Sequence, residues 1–242
     1  MSANEKKLAP MIAIVGCDGS GKSTVVEQAL VWAQSYGPAA SAHLGKQGGN
    51  LGRALNNLPL IGKWIERVQE SKAVKVHKAY DADKTPEFLP SLVIYLLTLR
   101  RLRRYHRMMK LRSKGLIIIT DRYPQNEYTK AIDGPGLSIT AKGSSIVRWL
   151  AKQEHKAFQW MTSYTPDLVI RLNVDLDTAC ARKPDHKRDS LEKKIKVVPQ
   201  LTFNGAPIAE IDTVQPLEDV LAEVREVISQ SLTERGYDKH TC

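Results

Sequence analysis

The 242-residue chain lacks a long apolar segment. Its longest uninterrupted apolar run, Leu92–Leu97, has six residues, whereas a membrane-spanning helix needs about 20. The N-terminus, Met1–Pro10, is polar and holds no apolar core of a signal peptide. These absences favour a cytoplasmic protein without a transmembrane segment.

Cysteine is also scarce, and the three cysteines and six histidines form no recognisable pattern. Cys17, Cys180 and Cys242 have neither the spacing of a disulfide framework nor that of a zinc site, which fits a reducing compartment. The sequence shows no repeats, low-complexity tracts or domain linkers. We therefore expect a single domain over residues 1–242.

Acidic residues are outnumbered by basic ones, 26 to 36, which gives the chain a net charge of +10. An excess of this size favours polyanionic ligands. The basic segment Arg100–Lys114 leaves open a nucleotide-binding module that docks on nucleic acid or on an anionic membrane. No motif of a nucleic-acid-binding domain accompanies it, and a basic half-helix also suits the pocket of an anionic acceptor.

The segment Gly16–Thr24 fits the pattern G-x-x-x-x-G-K-[ST] of a phosphate-binding loop. The apolar run Met11–Val15 precedes it and a helical pattern follows it, which is the context that the motif needs. The pattern predicts that Lys22 reaches the β- and γ-phosphates of ATP and that Ser23 binds Mg²⁺. The predicted nucleotide-binding residues are Gly16, Asp18, Gly19, Ser20, Gly21, Lys22, Ser23 and Thr24.

Apolar runs recur along the chain and alternate with helical patterns, which is typical of an α/β fold. With the loop, this alternation predicts a P-loop NTPase fold with a mostly parallel five-stranded sheet and helices on both faces. The strands are expected at Met11–Val15, Ser41–Leu44, Leu116–Thr120, Asp167–Leu172 and Ile208–Ile211.

Helices are expected between these strands, together with two special segments. One is a helical insertion over residues 50–86. The other is a basic lid over residues 182–195, whose charged loop is Arg182–Asp189. The expected helices are Lys22–Tyr36, Glu87–Ser113, Gly143–Ser163, Leu176–Ala181 and a last one that begins near Pro216.

A second site signal is the sequence Thr120-Asp121-Arg122-Tyr123 at the end of a predicted strand. In open parallel sheets, ligands bind beyond the carboxyl ends of the strands. Asp121 is therefore a candidate Mg²⁺ ligand, either directly or through water.

In these motifs the chain resembles the thymidylate kinase family of P-loop nucleoside monophosphate kinases. The resemblance extends from Met11 to about Ile228. It rests on the phosphate loop, Asp121-Arg122-Tyr123, the strand Pro166–Leu172, the basic loop at 182–189 and the segment Ile211–Val220. It implies an ATP- and Mg²⁺-dependent kinase, and it leaves a homodimer open.

The resemblance also implies roles for single residues. Asp18 matches an acidic residue near the acceptor, Arg122 matches the arginine that grips the acceptor's phosphate, and Arg100 matches an arginine on the long helix that reaches the acceptor. The register on this helix is uncertain by one residue, so Arg101 is the alternative. The lid is expected to supply cations to the transferred phosphoryl group, with Arg182, Lys187 and Arg188 as candidates.

The acceptor half of the sequence departs from the family. The family's Arg-Glu-Pro-Gly-Gly segment after the second strand is replaced by His43–Asn50, and the position of the base-stacking aromatic falls on Leu96. Base stacking and edge hydrogen bonds set the choice of base. The choice of base is therefore open, whereas Arg100 and Arg122 favour a small-molecule acceptor that bears a phosphate, such as a nucleoside monophosphate. The alternative acceptor is a sugar, a sugar phosphate or a polysaccharide end.

Overall fold

The computed structural model describes residues 8–45, 88–140 and 144–239. In these residues the strands are β1 (Met11–Gly16), β2 (Ala39–His43), β3 (Ile117–Asp121), β4 (Leu168–Asn173) and β5 (Ile208–Asp212). They form one sheet in the order β2-β3-β1-β4-β5, and every neighbouring pair is parallel. The predicted five-stranded α/β fold is confirmed.

Helices cover both faces of this sheet, as predicted. They are α1 (Lys22–Gln34), α2 (Phe88–Ser113), α3 (Ser145–Thr162), α4 (Leu176–Arg182), α5 (Arg188–Val197) and α6 (Leu217–Glu234), with a 3₁₀ turn at Val198–Gln200. The predicted insertion at 50–86 and residues 46–49 of the segment His43–Asn50 lie outside the described residues.

The central strand β1 explains how the two layers form. All six of its residues are buried, because a strand covered on both faces has no solvated side. Ile12 and Ile14 point to the layer of α1 and α6, whereas Ala13 and Val15 point to the layer of α2 and α3. This continuous apolar pattern fixes the carboxyl end of β1, and thus the phosphate loop, in the middle of the sheet edge.

The segment that was predicted to form a basic lid differs from the prediction in its secondary structure. The segment Arg182–Asp189 is not one charged loop, because α4 includes Arg182, and α5 begins at Arg188. The spacing of Leu191 and Ile195 places both on the face of α5 that packs beside Cys17. Basic residues in the last turn of α5 also complement the helix dipole.

The 26-residue helix α2 is apolar in its first half and basic in its second half. Neither it nor any other helix within residues 8–45, 88–140 and 144–239 has the length and apolar character that crossing a membrane requires.

Candidate functional site

The phosphate loop, residues 16–21, joins β1 to α1 at the carboxyl edge of the sheet. A Cβ atom on Gly16 would lie 2.5 Å from Ser20 Oγ and 2.7 Å from the carbonyl oxygen of Leu172, so a side chain does not fit there. Gly21 has a φ of 80° and directly precedes α1, whose first turn has no side-chain cap among the described residues. The N–H groups of this turn are thus free to bind phosphate.

Lys22 is folded onto its own loop. Its side chain is buried, and Nζ donates a hydrogen bond to the carbonyl oxygen of Cys17. Burial, followed by the neighbouring charge of Arg122, lowers the pKa of Lys22 to about 8. A phosphate in the loop would offer this ammonium group an anionic partner and favour its protonated form.

Asp18 is the point where basic side chains from three parts of the chain meet. Arg122 Nη2 lies 2.8 Å from Asp18 Oδ1, Lys194 of α5 donates a hydrogen bond to Oδ2, and His186 Nε2 lies 3.8 Å from Oδ2. Burial by itself would raise the pKa of Asp18, but the contact with Lys194 and the charge of Arg122 hold it well below its usual range. The carboxylate is therefore ionised and joins Lys194 of α5 to Arg122, the residue after β3.

Arg122 and Asp133 form the opposite wall of the site. Their backbones have φ values of 69° and 54°, a left-handed conformation that is unfavourable for residues other than glycine. Arg122 Nη1 lies 3.4 Å from Asp133 Oδ2, and the buried Arg101 of α2 donates to the carbonyl oxygen of Asp133 at 2.8 Å and to Oδ1 at 3.0 Å. Strained backbone of this kind concentrates at functional sites.

Two buried polar side chains support this wall. Gln125 Oε1 accepts hydrogen bonds from the backbone N–H groups of residues 127 and 128, and its Nε2 donates to the carbonyl oxygens of 128 and 132. Glu154 of α3 accepts from the N–H groups of Gly136 and Leu137 and from Thr98 Oγ1. The segment that carries Asp133 is thus held at both ends.

Asp121 ends β3 beside the phosphate loop, as predicted, and it contacts His43 at the end of β2. His43 Nδ1 is hydrogen-bonded to Asp121 Oδ2. Burial would raise the pKa of Asp121, but the hydrogen bond and charge of His43 lower it. Next to this pair, Arg104 Nη2 donates to the carbonyl oxygen of Gly45 at 2.6 Å.

The donor set suits Mg²⁺ that arrives with a nucleotide. Ser23 and Thr24 are exposed on the first turn of α1, and Asp121 supplies an ionised carboxylate at the neighbouring strand end. Among the described residues, no group of three His, Cys, Asp or Glu side chains is placed to hold a metal ion. Such a partial set is typical of Mg²⁺ sites that rely on phosphate and water oxygens for the remaining ligands.

The predicted arginines do not all lie at the site. Arg100 is exposed on α2, so the alternative register is the one that reaches the cleft, through Arg101. Arg182 Nη1 lies 3.3 Å from the carbonyl oxygen of Gly19 in the phosphate loop. Arg188 instead pairs with Asp177 at 2.8 Å on the exposed surface, and Lys187, the third lid candidate, precedes α5 as its N-cap.

Sequence reasoning missed four residues of this site. Lys194 lies within the predicted lid at 182–195 but was not among its candidate cations, although the apolar spacing of Leu191 and Ile195 is a signal for the helix that carries it. Gln125, Asp133 and Glu154 belong to no motif, and their contacts depend on how distant segments pack.

The glycine-rich loop between a buried strand and a helix, in a five-stranded parallel sheet, defines a P-loop NTPase fold. No known protein-family model matches the chain. The chain is 42% identical to the uncharacterized ATP-binding protein YghS of Escherichia coli K12, over 92% of this chain and 94% of YghS. It is 34% identical to the uncharacterized ATP-binding protein YghR of the same organism, over 90% of this chain and 86% of YghR. The chain belongs to the protein family that includes YghS and YghR.

Proposed function

We propose that this protein is an ATP- and Mg²⁺-dependent phosphotransferase of a thymidylate-kinase-like type. It transfers the γ-phosphoryl group of ATP to a small acceptor that bears a phosphate, with a nucleoside monophosphate as the first candidate. The names of YghS and YghR support the ATP half of this proposal. One domain would carry the activity, with the insertion at 50–86 and the lid at 182–195 as parts of it.

The observation that carries the proposal is the position of Asp18 between two cationic elements. Lys194 contacts it from the lid and Arg122 contacts it from the far wall. Phosphoryl transfer brings two polyanions together in line, so catalysis depends on positioning and charge neutralisation. A protein that only binds a nucleotide has no need for arginines across the cleft from the phosphate loop.

Lys22 and the phosphate loop would bind ATP, the phosphoryl donor. On binding of ATP, Lys22 would exchange the carbonyl oxygen of Cys17 for phosphate oxygens, and the N–H groups of the first turn of α1 would hold the β-phosphate. Ser23 and Asp121 would hold Mg²⁺, which neutralises charge on the phosphates when it is bound. Lys194 and Arg182 approach from the lid and would contact the transferred group.

Arg122 and Arg101 would bind the phosphate of the acceptor. Both guanidinium groups lie at Asp133, and a phosphate-bearing acceptor would compete with that carboxylate for them. The acceptor oxygen would then attack the γ-phosphorus while the bond to the β–γ bridging oxygen breaks and ADP leaves. An ionised phosphate oxygen needs no base for this step.

A second candidate, a sugar or polysaccharide hydroxyl as acceptor, is favoured by the contact between His43 and Asp121. A hydroxyl group must lose a proton during attack, and a histidine held by a carboxylate is a common proton acceptor. Because Nδ1 is bound to Asp121, Nε2 is the ring nitrogen left to take that proton. His43 belongs to the segment His43–Asn50, which stands where the thymidylate kinase family has its Arg-Glu-Pro-Gly-Gly segment.

An ADP-release assay with acceptor panels separates the two candidates. The panels are nucleoside monophosphates, sugar phosphates and neutral sugars, each with MgATP. Stimulation by a monophosphate supports the first candidate, and stimulation by a neutral sugar supports the second. Lys22→Ala should abolish turnover in either case, whereas Lys196→Ala, on the outer side of α5, should leave it unchanged. Absence of stimulation by every acceptor would reject the phosphotransferase proposal.

A further inference from the structure

Helix α2 carries a continuous cationic stripe that the proposed site does not use. Positions 100, 103, 107 and 110 are three or four residues apart, so their side chains share one face of α2 over about 15 Å, and position 114 follows in the turn after the helix. All five are exposed, and no acidic side chain of the described residues pairs with them. The residues are Arg100, Arg103, Arg107, Lys110 and Lys114.

All the charged side chains of α2 are basic. None of residues 88–120 is acidic, although exposed helix faces usually mix both signs. Such a stripe repels itself and is costly unless an anionic partner neutralises it.

The same face is apolar in the first half of α2. Leu89 and Leu96 precede Arg103 and Lys110 at intervals of seven residues, which is two helical turns, so the four residues lie on one line. Leu89 and Leu96 are 43% and 48% exposed, which is unusual for two leucines on the same face. The exposed side chains on this line are therefore leucines in the first half of α2 and cations in the second half.

Helix α3 extends the apolar half. The Trp149 ring centroid lies 6.2 Å from that of Tyr95 on α2, and Trp149 is 54% exposed. Ile146, one turn earlier, is also exposed. Tryptophan and leucine beside lysine and arginine form the combination found where proteins contact the interface of a bilayer.

We propose that the outer face of α2, together with Trp149, docks this protein on a lipid bilayer that carries anionic headgroups. The cations would contact the headgroups, and the leucines and Trp149 would enter the interface. A nucleic acid would use the cations but would leave the leucines exposed to water. The apolar half of the stripe therefore favours a bilayer over a phosphate polymer.

The test is sedimentation of the full chain with vesicles of phosphatidylcholine, with or without 30% phosphatidylserine, at several salt concentrations. We expect binding only to the anionic vesicles, weakening as salt rises. Arg103→Gln with Arg107→Gln should weaken the binding roughly 30-fold, since each cation near such a surface contributes about fivefold. The matched double variant Arg225→Gln with Lys239→Gln removes two exposed cations elsewhere and should bind as the wild type does.

A second double variant, Leu89→Gln with Leu96→Gln, tests the apolar half and should weaken binding at least tenfold. All variants change exposed side chains, and unchanged thermal melting will show that they fold. Equal binding to neutral vesicles, equal loss in the two charge variants, or no effect of the leucine variant would overturn the proposal. Tighter binding to a single-stranded oligonucleotide than to anionic vesicles would also overturn it.

Discussion

Arg122 Nη2 lies 2.8 Å from Asp18 Oδ1, and this ion pair connects the residue after β3 to the phosphate loop after β1. The two residues are 104 positions apart in sequence. Their pairing follows from the strand order, because β3 and β1 are neighbours whose carboxyl ends meet at one edge.

Replacing Lys194 should reduce turnover. Lys194→Ala removes the lid cation that contacts Asp18, and loss of one preorganised electrostatic contact typically lowers kcat by about 10²–10³. Affinity for MgATP should change much less. The matched variant Lys196→Ala removes an exposed lysine that pairs with Glu192 on the same helix, and its kcat should stay within about twofold. Equal rates for the two variants would mean that α5 is not the catalytic lid.

Replacing Arg122 should affect the acceptor more than ATP. Arg122→Ala removes a guanidinium from the far wall, and we expect an increase in acceptor KM, or a loss in kcat, of about 10²-fold. The dissociation constant of MgATP, measured by calorimetry, should change by less than about fivefold. Arg148→Ala, at an exposed arginine on α3, is the control. A comparable loss of ATP affinity in Arg122→Ala would show that the two pockets are assigned in reverse.

Nucleotide affinity should fall at alkaline pH because of Lys22. Its pKa is about 8 in the free protein, below the ordinary value of 10.5, and phosphate binding favours the protonated form. Binding near pH 8 should therefore take up a proton, and affinity should decline as pH rises above 8, by up to tenfold per unit. Calorimetry in buffers of different ionisation enthalpy measures this uptake. A Lys22→Arg variant that binds ATP should lack the decline, and a wild-type affinity that is flat from pH 7 to 9.5 would contradict the assignment.

The lowered pKa of Lys22 also has a consequence for stability. Folding disfavours its charged form, so the ionised side chain destabilises the native state at all pH values below about 8. This cost declines as pH rises from 8 to 10.5, where the unfolded chain also loses the proton. The difference in melting temperature between Lys22→Met and the wild type should therefore be positive at pH 7 and shrink toward pH 10. A constant difference over this range would contradict the shift.

Replacing Glu154 should destabilise the fold and loosen the acceptor wall. Glu154→Ala leaves the buried N–H group of Leu137 and the partly buried N–H group of Gly136 without their acceptor, and a fully buried unpaired group costs about 1–3 kcal/mol. We expect a loss of about 2–4 kcal/mol in the free energy of unfolding, measured with urea. The control Glu226→Ala, at an exposed position on α6, should change this free energy by less than about 0.5 kcal/mol. A loss equal to that of the control would exclude Glu154 as the support of residues 136 and 137.

The fold could be predicted from the sequence because the signals for its strands and helices are local. Strand β1 is a continuous apolar run, and the loop that follows has glycines where a Cβ would clash or where φ is positive. Alternation of strands with helices then predicts a parallel sheet without any knowledge of contacts. The same local signals predicted Lys22 at the start of the helix after the phosphate loop, and Asp121 and Arg122 at the carboxyl end of a strand, where the structure has them.

The rest of the site could not be predicted, because it depends on contacts between distant segments. Lys194 and Asp18 are 176 positions apart, and Arg101 differs from Arg100 only in which face of α2 it occupies. One residue turns a helix by about 100°, so an error of one residue in register exchanges an exposed side chain for a buried one. Asp133 belongs to no sequence motif, and its position depends on the hydrogen bonds of Gln125 and Glu154.

The most direct test of the central claim is calorimetric titration of the purified protein with MgATP. The account predicts one nucleotide bound per chain in the wild type and at least a hundredfold weaker binding in Lys22→Ala, whose folding is verified by thermal melting. Failure of the wild-type protein to bind either ATP or GTP at millimolar concentration with magnesium present would contradict it.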